Sequence, residues 1–309
     1  MKRSAIRSGK GDEGIGSISP QVGNLQIVDT STTSLTLQAH VNFTNPTNYS
    51  ATIPYFNVNV LVNGTILGQG VVKDTVMHPG NNTDLVVNII WDPFTNSGKK
   101  GELVGKELLS QYISGEFLCI TTVPSADLVG YNTSFTIQAH NGSVPAQPAL
   151  GALLSNFPVT LPAPSLSGPK DPDDGDGDPD DGDDKEPERP HFIREATMHL
   201  ISSTAIFTLA SPFTSTTMYI THLNATAYHE GHTAGNILSD LPFEVPPGLS
   251  ESPRLPVDWS FDGLGYDAIK KALGGTLKLT TFAHVGIRVG QWRQQIWFQG
   301  GQIGAHVRL

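Results

Sequence analysis

The stretch LTLQAHVNF, residues 35–43, decides the fold class because its apolar and polar residues alternate strictly. A period of two places successive side chains on opposite faces of a β-strand, so one face is buried and the other solvated. The inward-facing positions are Leu35, Leu37, Ala39, Val41 and Phe43. His40 and Asn42 fall on the opposite face, and the stretch therefore predicts a half-buried strand of an antiparallel sheet.

The same alternation recurs on both sides of that strand. It is found in residues 56–62 and 85–91, and again in residues 205–209, 277–289 and 303–309. Asn63-Gly64 follows the 56–62 run and is typical of a tight hairpin turn, because both residues tolerate positive φ. The 32 glycines and 22 prolines in 309 residues also favour short strands and turns over helices.

Helical periodicity is confined to two short segments that align with each other without gaps. GKELLSQYISG, residues 105–115, matches GYDAIKKALGG, residues 265–275. The apolar residues spaced four apart are Leu109 and Ile113 in the first segment and Ile269 and Leu273 in the second. Trp91 precedes the first segment and Trp259 the second. This internal repeat predicts two tandem copies of one fold.

An acidic run rich in proline and glycine separates the two copies. Residues 171–189 contain eleven acidic and two basic residues, and that charge opposes a compact core. We therefore expect a mainly β protein with two immunoglobulin/fibronectin-like β-sandwich domains, each with one short helix. The predicted segments are a disordered N-terminal segment (1–20), the first sandwich (21–162), the disordered acidic linker (163–190) and the second sandwich (191–309).

Charge and cysteine content exclude several classes of function. The chain has a net charge of −10, and the acidic run accounts for all but −1 of it. A nearly neutral folded part predicts no electrostatic binding of nucleic acid. The single cysteine, Cys119, excludes an intrachain disulfide and a cysteine-based zinc site, and its apolar neighbours predict a small buried hydrophobe.

Seven N-x-Ser/Thr sequons favour a protein made in the secretory pathway. The sequon asparagines are Asn42, Asn48, Asn63, Asn81, Asn132, Asn141 and Asn224. A β protein rich in Thr and Asn can also collect sequons through composition alone. Residues 1–20 lack the apolar core of a signal peptide, and no run of 18 apolar residues is present. Either the chain is part of a longer protein whose anchor lies upstream, which we favour, or the sequons are unused.

No catalytic motif was found: the chain has no GxSxG, HExxH, Walker or dinucleotide-binding glycine motif. We therefore predict no enzyme, no cofactor and no metal site. His229-Glu230-Gly231-His232 resembles a ligand cluster, but Gly231 is expected at a hairpin turn and loop polarity explains its neighbours. Three aromatic residues, Trp292, Trp297 and Phe298, crowd one hairpin with Arg288 and Arg293 beside them, which would suit a binding platform. We favour the alternative that Trp297 and Phe298 face opposite sides of a sandwich, one in the core and one against the neighbouring domain.

Two stretches carry a resemblance to a known family. VNFTNPTNYSATIPYFNVNVLVNGTILGQG, residues 41–70, resembles the core of the late-embryogenesis-abundant group 2 (water-stress type) β-sandwich domain, with Asn45-Pro46 ending one strand and Asn63-Gly64 turning the next. Residues 207–235 look similar, with Ser211-Pro212-Phe213 in place of the Asn-Pro dipeptide. This wording, and the ending GGQIGAHVRL, resembles fungal vacuolar-membrane proteins that carry one N-terminal transmembrane helix and several such domains in the vacuole lumen.

The resemblance implies a non-catalytic, glycosylated module on the lumenal side of the vacuole membrane, with an extracellular location as the alternative. It implies a stalk or sensor that reports nutrient supply or autophagy to a protein partner at the membrane. The alternative is a lipid-binding or lipid-transfer module with a groove under each helix. Leu109, Ile113, Ile269 and Leu273 would then form the lids of these grooves. The oligomeric state does not follow from the sequence.

Overall fold

The computed structural model describes residues 21–45, 48, 50–114, 135–140, 157–158, 192–260 and 276–308. These residues form two tandem, mainly β domains, so the expected fold class is confirmed. The predicted N-terminal segment, the acidic linker, Cys119 and the predicted second helix with Ile269 and Leu273 lie outside the described residues.

Seven strands form the sheet of the first domain. They are β1 (Gln21–Thr30), β2 (Leu35–Asn45), β3 (Ala51–Val62), β4 (Thr65–Met77), β5 (Gly80–Trp91), β6 (Phe135–His140) and β7 (Phe157–Pro158). Their order is β1-β2-β5-β4-β3-β6-β7, and every neighbouring pair is antiparallel. The predicted hairpin turn between β3 and β4 is present, with φ of 49° at Asn63 and 71° at Gly64.

Strand β5 connects the two layers of the first domain, which are β1-β2 on one side and β4-β3-β6-β7 on the other. It pairs with β2 over its whole length and with β4 only through residues 88–91. Gly70 makes that second pairing possible, because a Cβ there would lie 2.4 Å from the Asn88 carbonyl oxygen. The apolar faces of the layers enclose the first core, which includes Ala39, Val41, Val58, Val60, Leu67, Val72, Val87 and Ile89.

Ten strands form the sheet of the second domain. They are β8 (Ile193–His199), β9 (Thr204–Ala210), β10 (Met218–His229), β11 (His232–Ser239), β12 (Phe243–Val245), β13 (Leu249–Glu251), β14 (Leu255–Pro256), β15 (Asp258–Trp259), β16 (Thr276–Val289) and β17 (Trp292–Arg308). The main path runs β13-β9-β8-β17-β16-β10-β11-β15, with β12 beside β10 and β14 beside β9.

The second domain closes on itself through two pairings. The end of β17, residues 304–308, lies parallel to β8, whereas its earlier part pairs antiparallel with β16. On the other side, β14 pairs with β9 and β15, two residues later in the chain, pairs with β11. The covalent link from β14 to β15 therefore joins the two sides of the domain around an apolar interior that includes Phe192, Leu209, Met218, Ile220, Val245, Val285, Ile287 and Phe298.

One helix, α1 (Pro93–Ser114), falls within the described residues and begins well before the predicted helical segment, residues 105–115. Its N-terminus is capped by Asp92, whose Oδ1 accepts a hydrogen bond from the Thr95 N–H at 3.0 Å, and Pro93 occupies the first turn. The helix is broken at Ser97 and Gly98, where φ is −144° and 58°. That break interrupts the apolar period, which explains why the sequence shows only its second half.

Candidate functional site

Helix α1 lies between the two domains and packs against both cores. Val104 and Leu108 contact the apolar core of the first domain. Leu109, Tyr112 and Ile113 contact the core of the second domain, and the Ile113 side chain is only 2% exposed. The lid prediction placed Leu109 and Ile113 over a groove of their own sandwich, whereas both side chains contact the core of the next one. Their action as lids stays a prediction. The i, i+4 spacing identified an apolar face but not the sheet that it meets.

Two serines on α1 satisfy the free edge of β17. Residues 292–300 of β17 pair with β16 on one side only, so the other edge carries backbone N–H groups without a described strand partner. Ser110 Oγ accepts a hydrogen bond from the Trp297 N–H at 3.1 Å, and Ser114 Oγ accepts one from the Gln299 N–H at 3.0 Å. Serines one helical turn apart thus match amides two residues apart on a strand, and the helix protects the edge from other pairing.

Glu107 adds a charge-assisted contact at the same edge. Its Oε2 accepts a hydrogen bond from the Trp297 indole Nε1 at 2.9 Å, and its Oε1 accepts one from Gln111 Nε2 at 3.0 Å. Phe298, the next residue of β17, points into the second core and meets Phe192 edge to face, with ring centroids 6.0 Å apart. The favoured interpretation of the aromatic pair is confirmed: one ring lies in the core and the other contacts the neighbouring domain.

A second contact joins β1 to the turn between β16 and β17. Thr30 Oγ1 accepts a hydrogen bond from the Gln291 N–H at 3.1 Å. Gly290 adopts a φ of 56°, and a Cβ at this position would lie 2.2 Å from Thr30 Oγ1. Thr216 Oγ1 donates to the Ile27 carbonyl oxygen at 3.4 Å nearby. The turn therefore fits against the first domain only with glycine at position 290.

The remainder of the interface is apolar. Side chains of the first domain that pack against the second core are Ile27, Leu35, Leu37 and Trp91 together with those of α1. Burial raises the pKa of Tyr112 to about 12, because the phenolate would have to form away from water. Tyr112 is therefore neutral at all ordinary pH values, and the interface carries no charge from it.

The interior of the second domain contains a cavity of about 80 Å³. Its lining is almost wholly apolar and includes Phe192, Met218, Trp259 and Phe298, and Ile113 of α1 contributes to it from the first domain. The indole Nε1 of Trp259 is buried without a hydrogen-bond partner. The cavity is about half the ~150 Å³ that admits benzene in an engineered core, and it is far below the roughly 300–1,000 Å³ of ordinary ligand pockets.

The sequon asparagines of the described residues lie at or near the surface. Asn48, Asn63, Asn81 and Asn224 are exposed, and Asn42 is partly buried on the outer face of β2. Asn132 and Asn141 lie outside the described residues. The geometry is thus compatible with a glycan at each exposed asparagine, and attachment itself stays a prediction.

The histidines near the turn between β10 and β11 contact different partners. His229 Nδ1 lies 3.1 Å from the Lys278 carbonyl oxygen, and His222 Nδ1 lies 2.5 Å from Asp240 Oδ1. Gly231 occupies the turn between β10 and β11 with a φ of 83°, as the sequence predicts. Among the residues that the structure describes, no group of three or more His, Cys, Asp or Glu side chains is arranged to hold a metal ion.

Sequence reasoning missed the polar residues that hold the two domains together. Thr30, Glu107, Ser110 and Ser114 were not predicted, because polar residues beside an apolar helix face or at a strand end are also typical of ordinary surface positions. The available signal was the placement of two serines four residues apart beside Leu109 and Ile113.

Within the described part of the chain, no helix has the length and apolar character needed to cross a membrane.

Comparison with known families agrees with this architecture. Residues 18–129 match a family described as the Tag1-like fourth LEA-2 like domain, and residues 185–297 match one described as the Tag1-like fifth LEA-2 like domain. No curated protein matches the chain. The first match contains β1 to β5 and α1 and ends before β6 and β7, and the second contains β8 to β16 and the first residues of β17.

Fold and interface define a pair of β-sandwich modules that share one helix. The family matches show which modules these are: the chain carries two LEA-2-like domains in tandem, and their number and order confirm the predicted repeat. Such domains are generally non-enzymatic modules.

Proposed function

We propose that the chain is the non-catalytic, N-glycosylated lumenal region of a fungal vacuolar-membrane protein, in which the two LEA-2-like domains act as a rigid stalk. The stalk holds an interaction surface away from the membrane or reports lumenal conditions, such as nutrient supply or the state of autophagy, to a partner at the membrane. The matches to a fourth and a fifth domain of one kind support a place within a longer series of such domains.

The observation that carries this proposal is the shared helix. Two domains on a flexible linker reorient freely and transmit no bending or rotation from one to the other. Here α1 belongs to the first domain through Leu108 and to the second through Ile113. Two backbone hydrogen bonds to Ser110 and Ser114 and the Glu107–Trp297 contact fix the helix in register with β17. A displacement of one domain is therefore passed to the other.

The exposed sequons support a location that carries N-glycans. Glycans on compact β-sandwiches hinder proteolysis, which suits a degradative lumen. The experiment that tests the location is enzymatic glycan release from the protein isolated from its native host, followed by mass measurement. We expect a mass loss with release at several sequons. An unchanged mass would overturn the proposed lumenal location.

Stalk rigidity is tested separately by small-angle scattering of the glycan-free chain. We expect a single narrow distribution of inter-domain distances for the unaltered chain, and a broad one for Ile113→Asp, in which a carboxylate replaces the buried contact. Leu103→Asp is the matched control, because Leu103 lies on the same helix and is 68% exposed. A broad distribution for the unaltered chain would overturn the rigid-stalk proposal.

Lipid binding is the second candidate, and the apolar cavity of the second domain is the observation that favours it. At about 80 Å³ the cavity holds no acyl chain as it stands, so binding would require α1 to move and Ile113 to leave the lining. Native mass spectrometry of the glycan-free chain tests this candidate. A bound mass of lipid size, released on unfolding, would support lipid binding. The mass of the protein alone would count against lipid binding and leave the stalk as the proposed function.

A further inference from the structure

Asn42 occupies an irregularity in the pairing of β2 with β5. The register shifts between Val41 and Phe43, so Asn42 lies at a β-bulge opposite Asp84. Asp84 adopts a φ of 65°, which removes its N–H from the regular ladder. The Oδ1 atom of Asn42 accepts that N–H at 2.9 Å, and the Asp84 carboxylate in turn contacts His40 Nδ1 at 2.5 Å.

The carboxamide of Asn42 is therefore fixed through its oxygen alone. Its Nδ2 atom makes no hydrogen bond to the described residues, and Nδ2 is the atom that N-glycosylation modifies. Asn42 begins the sequon Asn42-Phe43-Thr44. Attachment of a sugar to Nδ2 leaves Oδ1 available as an acceptor, so the bulge and the modification do not compete.

Three exposed aliphatic side chains lie on the outer face beside Asn42. Val86 lies directly opposite His40 in the β2–β5 register and is 42% exposed. Ile90, four residues further along β5, is 54% exposed. Val71 of β4 lies opposite Asn88 of β5 and is 44% exposed. We call Val71, Val86 and Ile90 the first aliphatic patch. Asn42 is two residues from His40 on the same strand face, so it lies roughly 7 Å from Val86 along the sheet.

The second domain repeats this arrangement. Asn224 on β10 lies directly opposite Leu238 on β11, which is 64% exposed. On the other side, Phe282 of β16 lies opposite Thr226, two residues from Asn224, and is 47% exposed. We call Leu238 and Phe282 the second apolar patch. In both domains, a sequon asparagine thus lies beside large side chains that the fold leaves in water.

We propose that N-glycans on Asn42 and Asn224 cover these two patches. The proposal rests on the glycosylated state inferred under the proposed function and names two of its sites and their purpose. The bulky, hydrated glycan keeps the apolar side chains beneath it away from other chains. The patches are consequently part of a glycan-covered surface and do not serve as protein-binding sites.

The test uses the chain expressed through a yeast secretory pathway, with site occupancy measured by glycopeptide mass spectrometry. Asn42→Asp and Asn224→Asp each remove one glycan, and the first keeps the Oδ1 acceptor that holds the bulge. Asn63→Asp is the matched control, because Asn63 is exposed at the β3–β4 turn, away from both patches, and Asp also tolerates positive φ. Binding of an environment-sensitive apolar dye and self-association are then measured.

We expect dye fluorescence to rise several-fold for Asn42→Asp and Asn224→Asp and to stay unchanged for Asn63→Asp. Adding Val86→Thr to the first variant and Leu238→Thr to the second should reverse the rise. An equal rise for Asn63→Asp, or no rise at the two patches, would overturn the proposal. Occupancy at other sequons but not at Asn42 and Asn224 would also overturn it while leaving the lumenal function standing. A chain without any glycan would instead remove the proposed function itself.

Discussion

The two domains differ in the strand that bridges their two halves. In the first domain, β5 is one strand of 12 residues that pairs with β2 and then with β4. In the second domain, three short strands take its place: β13 and β14 pair with β9, and β15 pairs with β11. The bridged strands occupy corresponding places in the two domains, although the bridging strand is continuous only in the first. The architecture therefore depends on which strands are bridged and not on an unbroken bridging strand.

Proline explains the interruption. Pro253 and Pro256 have no backbone N–H to donate, and β5 contains no proline at all. Ser252 restores part of the lost pairing: its N–H donates to the Phe207 carbonyl oxygen at 2.8 Å, and its Oγ accepts the Phe207 N–H at 3.0 Å. A side-chain hydroxyl thus replaces a backbone carbonyl at the break, and the second domain keeps its layers together.

The domains also differ in how they use α1. The first domain contains the helix in its own chain segment, whereas the second receives Ile113 from its neighbour as part of its core. The second domain has its own closure through β8 and β17, so the helix covers a strand edge there and does not complete the sheet. Four substitutions test how far each domain depends on these features.

Ile113→Asp should have the largest effect because it places a carboxylate in the core of the second domain. The free energy of unfolding should fall by about 4 kcal/mol, because a charged group loses its water without gaining a partner. Denaturant unfolding measures the change. Leu103→Asp should cost about 0.5 kcal/mol or less, and equal losses in the two variants would show that the helix does not support the second domain.

Gly290→Ala should weaken the contact between the domains. Positive φ alone costs a non-glycine residue about 1 kcal/mol, and the new Cβ would also meet Thr30, for a total of about 3 kcal/mol. Gly231→Ala has a similar backbone strain, but no atom lies within 4 Å of its Cβ, so it should cost only about 1 kcal/mol. Similar losses at both positions in thermal unfolding would contradict the importance of the Thr30 contact.

Ser252→Ala should destabilise the broken strand of the second domain by about 1.5 kcal/mol, because the Phe207 N–H loses its acceptor. Ser250 is the matched control on the same segment: its Oγ is buried without a partner, so Ser250→Ala should be neutral or slightly stabilising. Chemical denaturation of both variants gives the comparison. A neutral Ser252→Ala would mean that the bridge holds through backbone pairing alone.

Tyr112 should make stability sensitive to high pH. Because burial raises its folded-state pKa to about 12 from the ordinary value of 10, its contribution is complete below pH 10 and is lost as the pH rises toward 12. Between pH 9 and pH 11 the unaltered chain should lose about 1 kcal/mol more than Tyr112→Phe. Parallel curves for the two proteins over this range would refute the assignment to Tyr112.

The local structure followed from the sequence more fully than the contacts did. Alternation at Leu35–Phe43 and the Asn63-Gly64 dipeptide predicted a strand and a turn because neighbouring residues decide both. The matching segments at 105–115 and 265–275 predicted the tandem repeat. Asp92-Pro93 carried a helix-start signal that was missed, because Gly98 separates it from the apolar period of the second half.

The inter-domain site could not be predicted in the same way. Ser110 and Trp297 are 187 residues apart, and no local pattern shows that a helix hydroxyl and a strand amide will meet. The same holds for Thr30 and Gln291, 261 residues apart. Leu109 and Ile113 were identified as an apolar pair, but the sheet they contact depends on how the two finished domains fit together.

That 187-residue separation has a consequence for biosynthesis. Translation proceeds at about 5–20 residues per second, so Trp297 follows Ser110 out of the ribosome by roughly 10–40 s. During this time the first domain can finish folding, but the face of α1 with Leu109, Tyr112 and Ile113 has no sheet to cover it. The nascent chain therefore carries an uncovered apolar helix face until the strand with Trp297 emerges, and a chaperone that shields it would act in that interval.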